Sequence, residues 1–503
     1  MSMTFTHSSH FGHRNGARAF RTIAGAASLL LAVASCRQSD LNIVNPNSPS
    51  PTGAAADPTA FQLFATGLMG DQRGTRSGFI TSTGALGREN YNFSPQEGRF
   101  ATHPIVGITI GGIQQLDPTS TYFGNIWGGQ YGALRDIYNF KKTITLNQSL
   151  TAAQQASSLG FAQTIESMMI FELLQVHDTL GVVVQLTDDP TAPAPFVSRD
   201  SGYKYVMNTL DAAATNLAAG GSTFAFTLAS GFTGFTTPTT FLQFNRAIKA
   251  KAAAHYATAG GGASAWQTCL TALQASFLNA GATTRAALDV GAYDTYAASP
   301  DSPNGLTQAT NTNLYAHMSF QTDAQLKANG QPDDRYTAKI RTGLPSRQGP
   351  PTGSGPTTGS STLGFSIWPT VSSSIPIIRN EELILIRAEA KLATGDRAGA
   401  IADLNVVRVN SGGLPPSTLT ASSSADDILT GILYEKRYSL MMEGDRWVDM
   451  RRYGRLNQLP LDVASGPNKN FVATVEPIPS SECQVRKGLG AEYQGPTGLN
   501  DCP

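Results

Sequence analysis

The clearest pattern of apolar and polar positions along the chain lies in residues 379–455. Apolar residues from Leu383 to Leu392, interrupted by few carboxylates, recur at a spacing that predicts a largely buried helix. Gly395 ends this helix, and Asp396 stands where it can cap a second one. Two helices joined by so short a turn pack antiparallel, so we expect a hairpin of the tetratricopeptide type.

A third, longer helix is expected to begin at Ser424 or Asp426 and is followed by dense mixed charge. We expect this charge to lock the helix onto its neighbours, because most such clusters are structural. The alternative is a catalytic pair of Glu443 and Asp449, which is disfavoured because the surrounding arginines would keep both carboxylates ionised. The expected structural ion-pair network consists of Glu435, Arg437, Glu443, Arg446 and Asp449.

Helical spacing recurs throughout the first half of the chain, at residues 58–70, 125–142, 153–178, 198–217, 241–258 and 265–277. Residues 279–376, by contrast, have no helical periodicity and include a run rich in glycine and proline. An irregular insertion of this length is usually functional when it is ordered. The sequence therefore predicts a mainly α body of about four tetratricopeptide-like hairpins. Loops at residues 78–121 and 279–376 are expected to build its ligand-facing side.

Aromatic and planar polar residues are concentrated in these two loops. Aromatic rings stack on the apolar faces of sugars, and amide or guanidinium groups bind hydroxyls, so such residues suit a sugar or peptide ligand. A loop packed as a plug over the helices is the alternative for any one of them. Trp368 is the foremost candidate for an exposed stacking residue, with capping of a hairpin as its alternative. The candidate ligand-binding residues are Arg88, Asn90, Tyr91, Phe93, Tyr315 and Trp368.

The N-terminus has the features of a lipoprotein signal peptide at residues 1–35. Three arginines precede a small, apolar stretch that is too short for a permanent membrane helix. The stretch ends in Val33-Ala34-Ser35-Cys36, which fits the site where a cysteine is lipidated and the signal removed. We therefore predict lipidation at Cys36, a lipid anchor as the only membrane attachment, and a polar linker at residues 36–57.

Charge and cysteine content narrow the function further. Lys plus Arg and Asp plus Glu both number 36, so the basic excess of a nucleic-acid-binding protein is missing. Of the four cysteines, Cys483 and Cys502 share a Gly-rich tail and have a spacing that permits a disulfide, while Cys269 is expected to be a buried thiol. The seven histidines are scattered without a zinc pattern, so we expect neither a metal nor a cofactor.

The C-terminal motifs resemble a known family through their order and spacing. Arg379 and Glu382 are followed by Ala388-Glu389-Ala390, Gly395-Asp396, Leu404-Asn405, Glu435-Lys436-Arg437, Glu443-Gly444, Arg446-Trp447, Asp449, Arg451-Arg452 and Pro477-Ile478-Pro479 with Glu482. This order is similar to the signature of the SusD/RagB outer-membrane nutrient-binding lipoproteins. The resemblance implies a single body over residues 58–503, divided into a helical part (58–278), the irregular loops (279–376), the signature (377–482) and a tail (483–503).

The same resemblance implies a function. It predicts a cell-surface-facing, outer-membrane lipoprotein that captures an oligosaccharide or peptide and passes it to a SusC-like TonB-dependent transporter. The protein would then not be an enzyme. The alternatives are a lipid-anchored glycan or peptide hydrolase, disfavoured because the hydrolase motifs are missing from the sequence, and a scaffold that binds only proteins.

Overall fold

The computed structural model describes residues 50–495, except residues 190, 299–300, 309–310 and 350–357. The predicted signal peptide, Cys36 and Cys502 lie outside the described residues. Cys483 is buried and disulfide-bonded. Its pairing with Cys502 stays a prediction. Cys269 is a free, buried thiol, as predicted.

The described chain is mainly helical, which confirms the predicted fold class. The helices are α1 (Pro51–Ala56), α2 (Pro58–Leu86), α3 (Arg99–Ile105), α4 (Thr121–Leu146), α5 (Ala152–His177), α6 (Arg199–Ala218), α7 (Pro238–Tyr256), α8 (Gly262–Gln274), α9 (Arg285–Leu288), α10 (Ser319–Thr322), α11 (Asp334–Lys339), α12 (Asn380–Ala393), α13 (Arg397–Asn410), α14 (Ala425–Ser439), α15 (Arg446–Arg452) and α16 (Ser480–Arg486). Among the described helices, none is both long and apolar enough to cross a membrane.

Two helices at the start of the body differ from the sequence expectation. Residues 51–56, expected in the linker, form α1, which buries Ala54 and packs against α2 and α4. Helix α2 continues to Leu86 rather than ending near residue 70. Its glycines at 67, 70, 74 and 78 do not interrupt it, because helical packing on α4 and α5 outweighs their weak intrinsic preference.

The long helices pack on one another in chain order, from α4 through α5, α6 and α7 to α8. Helix α12 then packs on both α7 and α8 and begins a second group with α13 and α14. The predicted caps of this group are confirmed: Asp396 accepts from the backbone N–H of Gly399 and Ser424 from that of Asp427. The helical hairpins expected from periodicity are thus present; the count of four tetratricopeptide units stays a prediction.

A Phe-rich segment between α6 and α7 fills the interior of the first group. Phe224, Phe226, Phe232 and Phe235 are buried in one cluster with Phe161 of α5. Leu383 and Ile386 of α12 belong to this same cluster. The first and last helical parts of the body therefore share one hydrophobic core.

Residues 279–376 contain short strands and single helical turns, consistent with the lack of helical periodicity there. The strands of the described chain are β1 (Asn90–Asn92), β2 (Ile108–Ile110), β3 (Ile113–Gln115), β4 (Gly291–Asp294), β5 (Leu314–Ala316), β6 (Ile340–Arg341), β7 (Arg347–Gly349), β8 (Gly359–Ser361), β9 (Gly364–Phe365) and β10 (Ile375–Arg379). They form antiparallel pairs β1–β5, β4–β10, β2–β3, β6–β9 and β7–β8. Pairing of β1 with β5 joins the two loops that the sequence assigned to the ligand-facing side.

Four of the five residues in the expected ion-pair network form ion pairs, each with residues outside that set. Glu435 pairs with Arg335 and Arg408, Arg437 with Asp323, Glu443 with Arg379, and Asp449 with Lys436 and Arg452. These pairs connect α14 and α15 to the loops and to α12 and α13. The expectation for Arg446 is wrong: within the described residues it has no carboxylate in ion-pair range, and its Nε donates to the carbonyl of Gly87 at 3.1 Å.

Candidate functional site

The six residues predicted to bind ligand are all buried in the structure. Their exposed fractions are between 1% and 4%. These side chains therefore do not form an exposed platform for a ligand. Their burial agrees with the alternative, in which the loop packs over the helices.

Arg88 and Asn90 follow the end of α2, and their side chains donate hydrogen bonds to backbone carbonyl groups. Arg88 has a positive φ of 57° and donates hydrogen bonds to the carbonyls of Ala85, Pro460 and Phe471. The Asn90 amide donates to Thr81 at 3.2 Å. Both planar groups bind the backbone of the protein itself, which leaves little capacity for ligand hydroxyls.

Tyr91, Phe93 and Tyr315 form a stack between β1 and β5. Tyr91 lies directly opposite Tyr315 in the antiparallel register, and the ring centroids of Tyr91 and Phe93 are 4.8 Å apart. The Tyr91 hydroxyl donates to Asp462, which His317 also contacts at 3.3 Å. Burial alone would raise the pKa of Asp462, but these hydrogen bonds outweigh it and hold that pKa below its usual value. The cluster anchors residues 460–470 to β1.

Trp368 belongs to a second core beneath the loops. Its exposed fraction is 2%, and its ring lies 6.3 Å from that of Phe365. The prediction that it is exposed is wrong, because the ring belongs to a buried hydrophobic cluster that includes Ile340, Phe365 and Ile375.

An exposed aromatic pair does occur elsewhere in the first predicted ligand-facing loop. Phe100 of α3 is 38% exposed, and its ring centroid is 6.2 Å from that of half-buried Tyr122 at the start of α4. The two rings border a groove of about 180 Å³. We call it the Phe100 groove; its lining residues are Glu97, Arg99, Phe100, His103, Asp117, Thr119, Ser120 and Tyr122.

One rim of the Phe100 groove is an ion pair at the start of α3. Arg99 Nε donates to Glu97 Oε1 at 2.8 Å, and the backbone N–H of Arg99 donates to the same oxygen at 3.0 Å. Hydrogen bonds from the Arg99 side chain and backbone lower the pKa of Glu97 to about 2. The Arg99 side chain is 70% exposed, so its guanidinium can still reach a ligand.

The opposite rim is organised by the N-terminus of α4. Ser120 caps this helix by accepting from the backbone N–H of Tyr122, and its hydroxyl lies 2.6 Å from His103 Nδ1. In the tautomer of neutral His103 that accepts the Ser120 hydroxyl proton at Nδ1, the ring proton is on Nε2. Burial lowers the pKa of His103 below its ordinary value, with Asp117 opposing this effect.

Asp117 completes this rim. Its Oδ1 accepts from the backbone N–H and the hydroxyl of Thr119, at 2.8 and 2.7 Å. Its Oδ2 has no donor among the described residues. The Phe100 groove thus combines a partly exposed ring face with donors on Arg99 and His103 and an acceptor on Asp117. This combination suits reversible binding of a hydroxyl-rich ring through stacking and hydrogen bonds.

The Phe100 groove offers no evident metal chemistry. In the part of the chain that the structure describes, no group of three or more His, Cys, Asp or Glu side chains could hold a metal ion.

Comparison with known proteins identifies the scaffold that carries the groove. Residues 272–490 match the model of the SusD family. This part of the chain, from residue 272 to residue 490, is a SusD-family region. The match covers α9 to α16 and β4 to β10, including the charged signature. No curated protein matches the chain.

Solved SusD-type structures share the fold at low sequence identity. A SusD superfamily protein from Bacteroides vulgatus is 15% identical, with a TM-score of 0.62 over 85% of this chain and 97% of that one. B. fragilis NanU is 15% identical, with a TM-score of 0.59 over 86% and 95%. A SusD-like carbohydrate-binding protein from Bacteroides fragilis is 15% identical, with a TM-score of 0.58 over 80% and 91%.

The first predicted ligand-facing loop carries an exposed aromatic residue, Phe100, that the sequence analysis did not single out. Phe100 stands six residues beyond Ser94 in a polar, Gly- and Pro-containing run, without apolar neighbours at strand spacing. Tyr91 and Phe93 alternate with asparagines, which is the pattern of a half-buried strand. This difference in periodicity was the available signal that Phe100, and not Tyr91, faces solvent.

Proposed function

We propose that this SusD-family protein is a cell-surface nutrient-binding lipoprotein. It captures an oligosaccharide, or alternatively a peptide, and passes it to a SusC-like TonB-dependent outer-membrane transporter. The observation that carries the proposal is exposed Phe100 packed beside half-buried Tyr122, with Arg99, His103 and Asp117 around them, on a SusD-like scaffold.

The form of the Phe100 groove favours a sugar over a peptide. An exposed ring face binds the C–H face of a sugar, whereas the polar rim supplies donors and acceptors for hydroxyls. Only one aromatic side chain of the groove is well exposed, so a single ring would bind with a dissociation constant of about 1 mM. Binding and release suffice for this function, and no catalytic step is needed.

The proposal is tested by calorimetric titration with a panel of neutral and acidic oligosaccharides and of peptides. Phe100→Ala is expected to weaken binding of the responding ligand about tenfold, because it removes the stacking surface. Val290→Ala is a matched control, since Val290 is another exposed apolar residue outside the groove. Equal affinities for wild type and Phe100→Ala would exclude the Phe100 groove as the site.

Anchoring and partnership need separate experiments. Metabolic labelling with a fatty acid is expected to mark the wild type and not Cys36→Ser. Protease added to intact cells is expected to digest a surface-facing protein.

Affinity purification from outer membranes is expected to bring down a large barrel transporter. Purification of the partner without any detectable ligand would favour a protein-binding scaffold, and turnover of a ligand on long incubation would favour the hydrolase alternative.

A further inference from the structure

A second cavity lies away from the Phe100 groove, between α4, α16 and the extended segment that follows α5. Its volume is about 370 Å³, roughly twice that of the Phe100 groove. We call it the Trp127 cavity; its lining residues include Trp127, Arg135, Leu186, Ala194, Glu482 and Val485. The function proposed above makes no use of it.

The walls of the Trp127 cavity are fixed by hydrogen bonds. The Tyr131 hydroxyl accepts from the backbone N–H of Val183 at 2.7 Å and donates to its carbonyl at 3.2 Å. Arg135 Nη1 donates to the carbonyl of Thr187 at 2.7 Å, and Arg486 Nη1 to that of Ala194 at 2.7 Å. A cavity held in this way is formed before any ligand arrives, which lowers the entropic cost of binding.

The lining of the Trp127 cavity is unsuited to a sugar ring. Trp127 is only 6% exposed and lies against Tyr131 and Phe196, at centroid distances of 4.5 and 5.8 Å. So little of the Trp127 ring is accessible that it offers no broad stacking surface. Together with Leu186 and Val485, which is 62% exposed, it offers instead an apolar recess for an aliphatic group.

Two opposite charges border this recess. Arg135 has no carboxylate within ion-pair distance among the described residues. Its guanidinium carbon lies 5.3 Å from the centroid of the Tyr138 ring, and nearby Asp188 is bound by Lys142 and Tyr138. Glu482 uses Oε1 to accept from Arg486 Nε at 2.6 Å, while its Oε2 has no donor within the described part of the chain. The recess therefore has one guanidinium and one carboxylate oxygen available to a ligand.

We propose that the Trp127 cavity is a second binding site, which takes a small zwitterion with a branched aliphatic side chain, such as a dipeptide of leucine. The ligand's carboxylate binds Arg135, its ammonium group binds Glu482, and its side chain enters the recess beside Trp127. This site is independent of the Phe100 groove and of the ligand that the groove binds.

The test is calorimetric titration of the full mature chain with leucyl-leucine. Saturable binding at millimolar concentration or below is expected, and Arg135→Gln and Glu482→Gln are each expected to weaken it about tenfold, as for loss of one charge-assisted hydrogen bond. Arg99→Gln is the matched control, because it changes an exposed arginine of the Phe100 groove. It is expected to leave leucyl-leucine binding unchanged.

Ligand analogues keep the test decisive if a variant folds poorly. N-acetyl-leucine lacks the ammonium group, leucinamide lacks the carboxylate, and glycylglycine lacks the aliphatic side chain. Each is expected to bind the wild type at least several-fold more weakly than leucyl-leucine. No saturable binding of leucyl-leucine, or equal binding of all four compounds, would overturn the proposal. Oligosaccharide affinity unaffected by Arg135→Gln would show that the two sites are separate.

Discussion

Glu476 is a carboxylic acid in the interior, at the point where the segment before Pro477 meets α2 and α5. Its side chain is fully buried, and Ser82 donates to one carboxyl oxygen. Its backbone N–H donates to Val176, and His177 contacts its carbonyl at 3.0 Å. Burial raises the pKa of Glu476 to about 8, against the opposing effects of Ser82 and Arg451.

Replacing this acid is expected to change the pH dependence of stability. Between pH 4.5 and about 8 the folded protein holds a proton on Glu476 that the unfolded chain releases, so the free energy of unfolding falls as pH rises. In Glu476→Gln this contribution disappears. The free energy of unfolding of the variant, minus that of the wild type, should therefore increase by about 3 kcal/mol from pH 4.5 to pH 7. Denaturant unfolding at a series of pH values measures this difference. Parallel profiles for the two proteins would contradict the assignment.

Trp368 gives the second prediction at this scale. Trp368→Ala removes a ring that is 2% exposed from the second core, so it should lower the free energy of unfolding by about 3–5 kcal/mol. The Phe100 groove does not include this ring, so ligand affinity of the folded fraction should be unchanged. Weakened affinity with unchanged stability would restore Trp368 as a ligand contact.

The sequence did not predict which individual aromatic side chains are exposed to solvent. Tyr91 is covered because β1 pairs with β5, more than 200 positions later in the chain. A pairing over that separation depends on the whole fold, and an aromatic in a loop segment carries no sign of it. Phe100 lacks the alternation of aromatic and polar residues found at Tyr91 and Phe93. That difference can be interpreted once β1 is known to be a strand.

At the scale of secondary-structure elements, buried ion pairs connect α14 and α15 to α12. Lys436 contacts Glu389 and Asp449 at 2.8 Å each, and Arg452 also pairs with both carboxylates. All four side chains are buried. Such a group holds the helices in one arrangement, and removal of a member leaves uncompensated charge behind.

Lys436→Met is therefore expected to destabilise the protein by about 3 kcal/mol, because Arg452 is then the one cation left beside Glu389 and Asp449 among the described residues. Lys204→Met is the matched control, since Lys204 pairs with Asp200 at 2.7 Å on an exposed helix face. Its effect should stay below about 0.5 kcal/mol. Equal effects in chemical unfolding would mean that the buried group contributes no more than a surface pair.

The positions of the helices were the part of the structure that the sequence predicted best. The helices α4 to α8 and α12 to α14 have sustained apolar periodicity, and their ends lie within a few residues of the predicted ones. The length of α2 was missed because its five glycines resemble a loop composition. The charges of α14 form buried ion pairs, but their partners on α11, α12 and α13 lie too far along the chain to be inferred.

At the scale of the whole molecule, the first and last parts of the chain depend on each other. Lys251 of α7 pairs with Glu382 and Asp445, at 2.7 and 2.8 Å. Arg76 of α2 donates to the carbonyl of Glu443 at 3.2 Å. Contacts from Pro51 onward form one compact unit. The stretch that identifies the family is thus only part of a cooperative body.

A fragment of residues 272–490 is accordingly expected not to fold. It keeps Glu382 and Asp445 but loses Lys251, and it exposes the face of α12 that packs on α7 and α8. Circular dichroism and proteolysis should show an unfolded fragment, whereas residues 37–503 should unfold in one cooperative transition. A protease-resistant fragment with a thermal transition of its own would show that the C-terminal part is autonomous.

The single well-exposed ring of the Phe100 groove has a consequence for the rate of ligand release. A dissociation constant near 1 mM, combined with association at about 10⁵–10⁷ M⁻¹s⁻¹, gives release at about 10²–10⁴ s⁻¹. A bound ring would then dwell for about 10 ms or less. Longer occupancy would have to come from an oligomer that rebinds through its neighbouring units, so chain length of the ligand, rather than the identity of any one unit, would set the dwell time.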